Sequence, residues 1–164
     1  MTRHIEIRLE KRGVKCIAEL HDDLAPKTCQ AVWDCLPQGE NCFTAKWARN
    51  SLYNLCPVIP GGYPGLENAS IVPIPGDLML FHFNENDLHG GGYGWAEHDV
   101  ATKGDITELS VHYGRNNLLL TPDAGFHAGT VFGTVVKGLA ELRAAGVDCW
   151  LGGTRGEVLS FHRA

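Results

Sequence analysis

Two alternating runs and one helical run fill residues 4–37, and no second helical pattern returns until Lys137. Ile5, Ile7 and Leu9 alternate with Glu6, Arg8 and Glu10; after Gly13, Val14, Cys16, Ala18 and Leu20 alternate in their turn. Alternation with period two on both sides of a turn residue predicts a β-hairpin with one face buried. In the helical run, Cys29, Val32, Trp33 and Leu36 fall at i, i+3, i+4 and i+7 and share one face. Pro26 suits the first helical position, because its φ is already helical and the N–H it lacks would have had no partner there. Asp22 and Asp23 stand just upstream, where the positive end of the helix dipole favours negative charge, and Pro37 with Gly39 stops the run.

Strands dominate the remainder. "FTAKWARNSLYNL" reads as an extended segment carrying Trp47, Leu52, Tyr53 and Leu55, and Pro57, Pro60, Pro64, Pro73 and Pro75 make the next stretch an irregular surface crossing. "DLMLFHF" (77–83) is almost continuously apolar, as a strand buried on both faces would be. "NENDLHGGGYGWAEHD" is polar and glycine-rich and reads as a loop; "ITELSVHY" alternates Leu109, Val111 and Tyr113 against Glu108, Ser110 and His112. "NNLLLT" and "TVFGTVV" add two strands, and "EVLSFHRA" a terminal one. "KGLAELRAAG" predicts a second short helix with Leu139 and Leu142 inward and Gly146 as its stop. About eight strands and two helices that do not alternate exclude a doubly wound parallel sheet. The expectation is a mainly β, closed antiparallel barrel in one domain spanning 1–164, since closure removes the edges that so many strands would expose.

A chain of 164 residues with 20% charged and 44% hydrophobic residues has the composition of a soluble globule. A formal net charge of −5 argues against nucleic-acid and anionic-membrane partners, both of which need a basic face. No apolar run approaches a membrane span, and "MTRHIEIRLE" has no apolar signal core, so a cytoplasmic location is expected. The 6 cysteines form no CxxC pair and several occupy apolar-pattern positions; they read as reduced, packed thiols.

The order of elements, with the words it contains, resembles the cyclophilin superfamily. "AELHDDLAPKTCQAVWDCLP" is similar to that superfamily's strand-to-helix turn, "IPGDLMLFHF" to its "GPG" strand, and "GTVFGTVVKGLAEL" to the strand and helix that read "VVFGKVKEGM" in isomerase members. Together they span Ile5 to Leu142, and the likeness is greatest to a bacterial cyclophilin-like family with no established activity. The resemblance implies a barrel, and it matches Arg49 in "KWAR" to the catalytic arginine of the isomerases. It also implies departures: Asn54 stands where a phenylalanine is found, Pro57 where a glutamine is, and Ala124 and Gly129 where a tryptophan and a histidine are. The apolar floor for a substrate proline is missing, so a peptidyl-prolyl cis-trans isomerase with a degenerate site is the alternative reading.

The candidate site gathers around Arg49. The resemblance puts the end of the "LMLFHF" strand beside the arginine strand, so His82 is expected to share its surface; an inert histidine bonded to a carbonyl is the plainer alternative. The segment 84–105 would overhang the same face, with Tyr93 and Trp95 closing it. "HYGRNN" and "DAGFHAG" place Tyr113, Arg115, Phe126 and His127 at loop tips, and Tyr53 joins them as an aromatic of the arginine strand. Apolar walls with a few directional groups are what a small-molecule or peptide pocket needs. Two arginines favour a carboxylate, which guanidinium binds bidentately. Salt-bridged surface residues on an acidic protein are the competing explanation. His82, His89, His98, His112 and His127 match no ligand spacing, and "GGGYG" precedes no helix that would receive a phosphate, so neither metal nor cofactor is expected. A small anionic ligand or short peptide is the expected partner, with homo-oligomerisation left open.

Overall fold

The structure is a computed structural model that describes residues 2–45, 48–56, 59, 61–84, 87, 105–121 and 125–164. Its elements run β1 (His4–Leu9), β2 (Val14–Leu20), α1 (Pro26–Cys35), β3 (Gln38–Asn41), β4 (Phe43–Thr44), β5 (Ser51–Cys56), β6 (Ala69–Ser70), β7 (Asp77–Phe83) and β8 (Ile106–His112), then β9 (Leu120–Thr121), β10 (Gly125–Phe126), β11 (Gly129–Lys137), α2 (Leu139–Gly152) and β12 (Val158–Arg163). The expected hairpin is β1–β2, paired from His4↔Glu19 to Leu9↔Val14. Antiparallel neighbours continue in the order β3-β12-β1-β2-β11-β7-β8-β5-β4, with β6 on β11 and a separate β9–β10 pair. The sheet curls into a nearly closed barrel. Where its ends meet, buried Asn54 of β5 donates to Gln38 Oε1 of β3 at 3.1 Å and to the Leu159 carbonyl of β12 at 2.8 Å. A side chain therefore spans the seam that backbone pairing leaves open.

Two apolar clusters lie on opposite faces of the curled sheet. The barrel interior holds Ile5, Ile7, Leu9, Leu52, Leu78, Leu80, Leu109, Val111 and Phe132, joined by Cys29 and Val32 of α1 and Leu142 and Cys149 of α2. The opposite, outer face of β5, β7 and β8 carries Phe43, Tyr53, Met79, Phe81, Phe83 and Ile106, with Leu119 and Val131. This second cluster explains why β7 is apolar at nearly every position: its odd and even residues each meet a core. Among the described residues, no helix is long and apolar enough to cross a membrane.

Both helices differ from the sequence reading at their ends, for reasons of tertiary contact. Asp22 does not cap α1; it accepts from the Arg3 guanidinium at 3.1 Å. The cap comes from Glu67, whose carboxylate accepts from the Thr28 amide at 2.8 Å, the Thr28 hydroxyl at 2.9 Å and the Lys27 amide at 3.3 Å. Burial pushes the Glu67 carboxyl up, but these hydrogen bonds outweigh it and hold it below its ordinary 4.5. Glu67→Ala should therefore lower unfolding stability by about 1 kcal/mol at neutral pH, the usual value of a helix cap. In urea melts that deficit should shrink as pH falls below 4.5, where the wild type protonates and loses the same contact. Helix α2, in turn, does not stop at Gly146 but runs to Gly152. A Cβ on Gly146 would sit 2.5 Å from the Tyr113 ring, so this glycine serves close packing of helix on barrel rather than termination.

Candidate functional site

Strand pairing brings two loop corners together at one end of β5 and β8. Ser51 pairs with His112, so the residues just before β5 meet those just after β8. The Tyr113 amide donates to the Asn50 carbonyl at 2.8 Å, and the Asn50 side chain donates to the Arg115 carbonyl at 2.7 Å. Gly114 lies so near Asn50 that a Cβ would fall 2.6 Å from its side-chain carbon. Beside these corners, the Gly146 contact lets α2 approach the Tyr113 ring and bring Val147 and Trp150 alongside.

The result is a cavity of about 290 Å³ lined by Arg49, Asn50, Tyr113, Arg115, Asn116, Val147 and Trp150. A neighbouring groove of about 510 Å³ shares Arg115 and Asn116 and is otherwise walled by residues 72–75 and Asn117. Both arginines are exposed, and among the described residues neither guanidinium has a carboxylate partner. Three lining residues hold positive φ without being glycine: Arg49 at 59°, Asn50 at 20° and Asn116 at 62°. Backbone held in that region is costly for residues with a Cβ and concentrates at functional sites. Trp150 is half exposed at 51%, while burial pushes the Tyr113 hydroxyl up to about 12, so the wall contributes a neutral phenol and an open indole.

The remaining expected site residues fall elsewhere. His82 lies opposite Thr107 at the start of β8, whereas Arg115 follows its end. The run from Thr107 to Tyr113 amounts to about 20 Å of strand. The expected surface shared by His82 and Arg49 is therefore not formed. The His82 ring stacks on Tyr63 at 4.4 Å and its Nε2 lies 3.5 Å from Asp105. His127 belongs to that same end: its Nε2 donates to the His82 carbonyl at 3.0 Å and its ring stacks on Phe83 at 4.3 Å. Phe126, in β10, is 65% exposed. Tyr53 is buried on the outer face, stacked on Phe43 at 5.5 Å. Tyr93 and Trp95, with most of segment 84–105, and Pro57 and Ala124 lie outside the described residues.

The sequence reading named the two arginines and Tyr113 but missed Asn50, Asn116, Val147 and Trp150. Asn50 and Asn116 each follow an arginine at a strand corner, and asparagine tolerates positive φ, which is a usable signal. Val147 and Trp150 carried none, because only the extension of α2 past Gly146 brings them to the cavity.

The fold places the chain among known structures. McbB, solved in complex with tryptophan, is 20% identical with a TM-score of 0.66; the match covers 97% of this chain and 44% of McbB, so this chain spans less than half of that neighbour. A hypothetical protein of Archaeoglobus fulgidus, solved in solution, is 18% identical with a TM-score of 0.51, covering 99% of this chain and 95% of that one. The Mimivirus cyclophilin is 12% identical with a TM-score of 0.53, covering 99% and 87%. These likenesses establish a cyclophilin-like fold. Among curated proteins none matches the chain. Residues 7–161 match the family described as protein of unknown function (DUF3830), and the chain belongs to that family.

Proposed function

We propose that the protein binds a small carboxylate-bearing molecule in the cavity between Arg49 and Arg115. The observation that carries this reading is the convergence of two guanidinium groups without acidic partners among the described residues, on strained backbone, around one concavity. Each guanidinium can donate two parallel hydrogen bonds to a carboxylate, and the open indole of Trp150 beside them offers a face for an apolar or planar body. McbB, of the same fold, was solved with tryptophan, which has a carboxylate and an aromatic body; that is support from fold likeness alone. A short peptide presenting its C-terminal carboxylate belongs to the same ligand class.

The isomerase alternative gains no support. Asn54 is spent inside the barrel on Gln38 and Leu159. A Cβ on Gly129 would fall 2.4 Å from the Phe81 ring, leaving no room for a larger residue at that position. Calorimetric titration with 3-phenylpropionate and indole-3-acetate tests the binding reading. Arg49→Ala and Arg115→Ala should each weaken binding by about 1.5–3 kcal/mol, the worth of hydrogen bonds to a charged group. Prolyl tetrapeptide exchange should show no acceleration. Binding that survives both substitutions, or exchange catalysis that Arg49→Ala removes, would overturn it.

A further inference from the structure

Arg115 and Asn116 line the neighbouring groove as well as the arginine cavity, so the two concavities adjoin across this corner. Their chemistry differs from end to end. At one end stand the guanidinium groups of Arg49 and Arg115 with the open indole of Trp150. At the other stand Val72, Pro73, Ile74 and Pro75, with Val72 58% and Ile74 63% exposed. Asn116 lines both parts; it is exposed, and among the described residues its side-chain amide has no hydrogen-bond partner.

The groove is held in shape from beneath. Buried Asn117 donates from Nδ2 to the Pro73 carbonyl at 3.1 Å and to the Gly114 carbonyl at 2.7 Å, which ties residues 72–75 to the Arg115 corner. The Leu119 amide donates to the Ile71 carbonyl at 2.9 Å, and the Ile74 amide to the Asp77 carboxylate at 2.9 Å. These bonds fix the backbone of the wall and leave the Val72 and Ile74 side chains open to solvent. A wall already in place costs little ordering when a ligand arrives. Among the described residues, no carboxylate lines either concavity. Charge complementarity therefore calls for a ligand that is negative at one end and apolar beyond it.

We propose that the joined concavities bind the last two residues of a peptide chain. The terminal carboxylate lies between Arg49 and Arg115, the last side chain on Trp150, the adjacent amide on Asn116, and an apolar penultimate side chain over Val72 and Ile74. This rests on the carboxylate reading of the cavity and extends it to the rest of the ligand. Guanidinium pairs bidentately with a carboxylate. A carboxamide both donates and accepts, so Asn116 can meet the N–H or the C=O of the amide next to that carboxylate. Arg115 and Asn116 are consecutive, about 3.8 Å apart at Cα, and a terminal carboxylate lies a similar step from the amide before it. Pro73 and Pro75 have no N–H to offer, so their wall contributes apolar contact rather than strand pairing. A plain alkyl acid would match both ends and leave Asn116 unused.

Calorimetry of the whole protein with 3-phenylpropionate, N-acetylphenylalanine and N-acetyl-leucyl-phenylalanine tests each part in turn. Affinity should rise about fivefold when the amide is added, the usual effect of one hydrogen bond. It should rise about tenfold more with the leucyl side chain, as partial burial of that side chain gives. Amidation of the terminal carboxylate should weaken the dipeptide by at least about tenfold, since a hydrogen bond to a charged group is lost. Val72→Ser combined with Ile74→Ser, both at exposed positions, should remove the leucyl gain and leave 3-phenylpropionate binding as in the wild type. Asn116→Gly, which keeps the positive φ without strain, should remove most of the amide gain. The wild-type series gives the answer even if a variant folds poorly. Equal affinity for 3-phenylpropionate and N-acetyl-leucyl-phenylalanine would overturn the peptide proposal while the carboxylate reading stands. Dodecanoate binding as tightly as the acetylated dipeptide would also overturn it, in favour of an alkyl acid. No binding of any of these acids, or equal binding of the amidated dipeptide, would overturn both.

Discussion

Raised from about pH 9 to about pH 11, the protein should lose its fold within a single pH unit, because its thiols ionise only after it unfolds. All the cysteines are free, and Cys16, Cys29 and Cys42 are buried in the barrel interior. Burial pushes the Cys16 and Cys29 thiols up to about 12 from an ordinary 9.0, and pushes Cys42 up as well. Acidic neighbours, Glu6 for Cys16 and Asp22 for Cys29, reinforce it. Above pH 9.0 the unfolded chain releases protons that the folded chain retains, so stability falls as pH rises through this window. Each thiol contributes about 1.4 kcal/mol per pH unit, so the three together remove roughly 4 kcal/mol by pH 10 and roughly 8 by pH 11. Typical domains have only about 5–15 kcal/mol to lose. Circular dichroism against pH should show the transition, and 5,5′-dithiobis(2-nitrobenzoate) should find these three thiols unreactive before it and reactive after it. Cys16→Val, which keeps most of the volume, should move the midpoint upward. A fold that persists at about pH 11 with unreactive thiols would mean that the thiols do not control alkaline stability.

The same thiols show what kind of structure a sequence displays. Cys16 and Cys29 sit on periodic apolar positions, and period is a local signal, so the hairpin and α1 were legible from residues a few places apart. Contacts across long separations were not. Glu67 caps a helix that begins 41 positions earlier, and nothing near Pro26 announces it. Gly146 reads as a helix stop because glycine is a poor helix former, and only the Tyr113 ring explains its place inside α2. At the site, the resemblance singles out Arg49 and its loop-tip position singles out Arg115; what joins them is the antiparallel pairing of β5 and β8, which brings the start of one to the end of the other. His82 was misplaced for the same topological reason, since its partner Thr107 is at the opposite end of β8. Glu108 reads only as one of the polar residues of an alternating strand. Alternation shows which residues share a face, and it cannot show that the outward face carries a second apolar cluster.

That burial makes the Glu108 carboxylate destabilising, and its replacement should stabilise the protein. The unfolded carboxyl titrates near 4.5 and the folded one at about 8. Between those values the folded chain holds a proton that the unfolded chain has released, so stability falls as pH rises through the window. At about 1.4 kcal/mol per unit the full shift would approach 5 kcal/mol, and the partial solvent contact of Glu108 reduces this to the order of 2–3. Glu108→Gln should therefore raise unfolding stability by that amount at about pH 8.5 and by nothing below about pH 4.5, where both side chains are neutral. His112 acts in the opposite sense. Its folded value of about 3 lies below the ordinary 6.5, so its contribution is lost as pH falls through that window. Between about 4.5 and 6 the two slopes oppose each other, so the variant, which keeps the His112 slope, should lose more stability on acidification than the wild type. Urea melts across the pH range decide it: equal stability of wild type and Glu108→Gln at about pH 8.5 would show that the fold does not hold Glu108 in its protonated form.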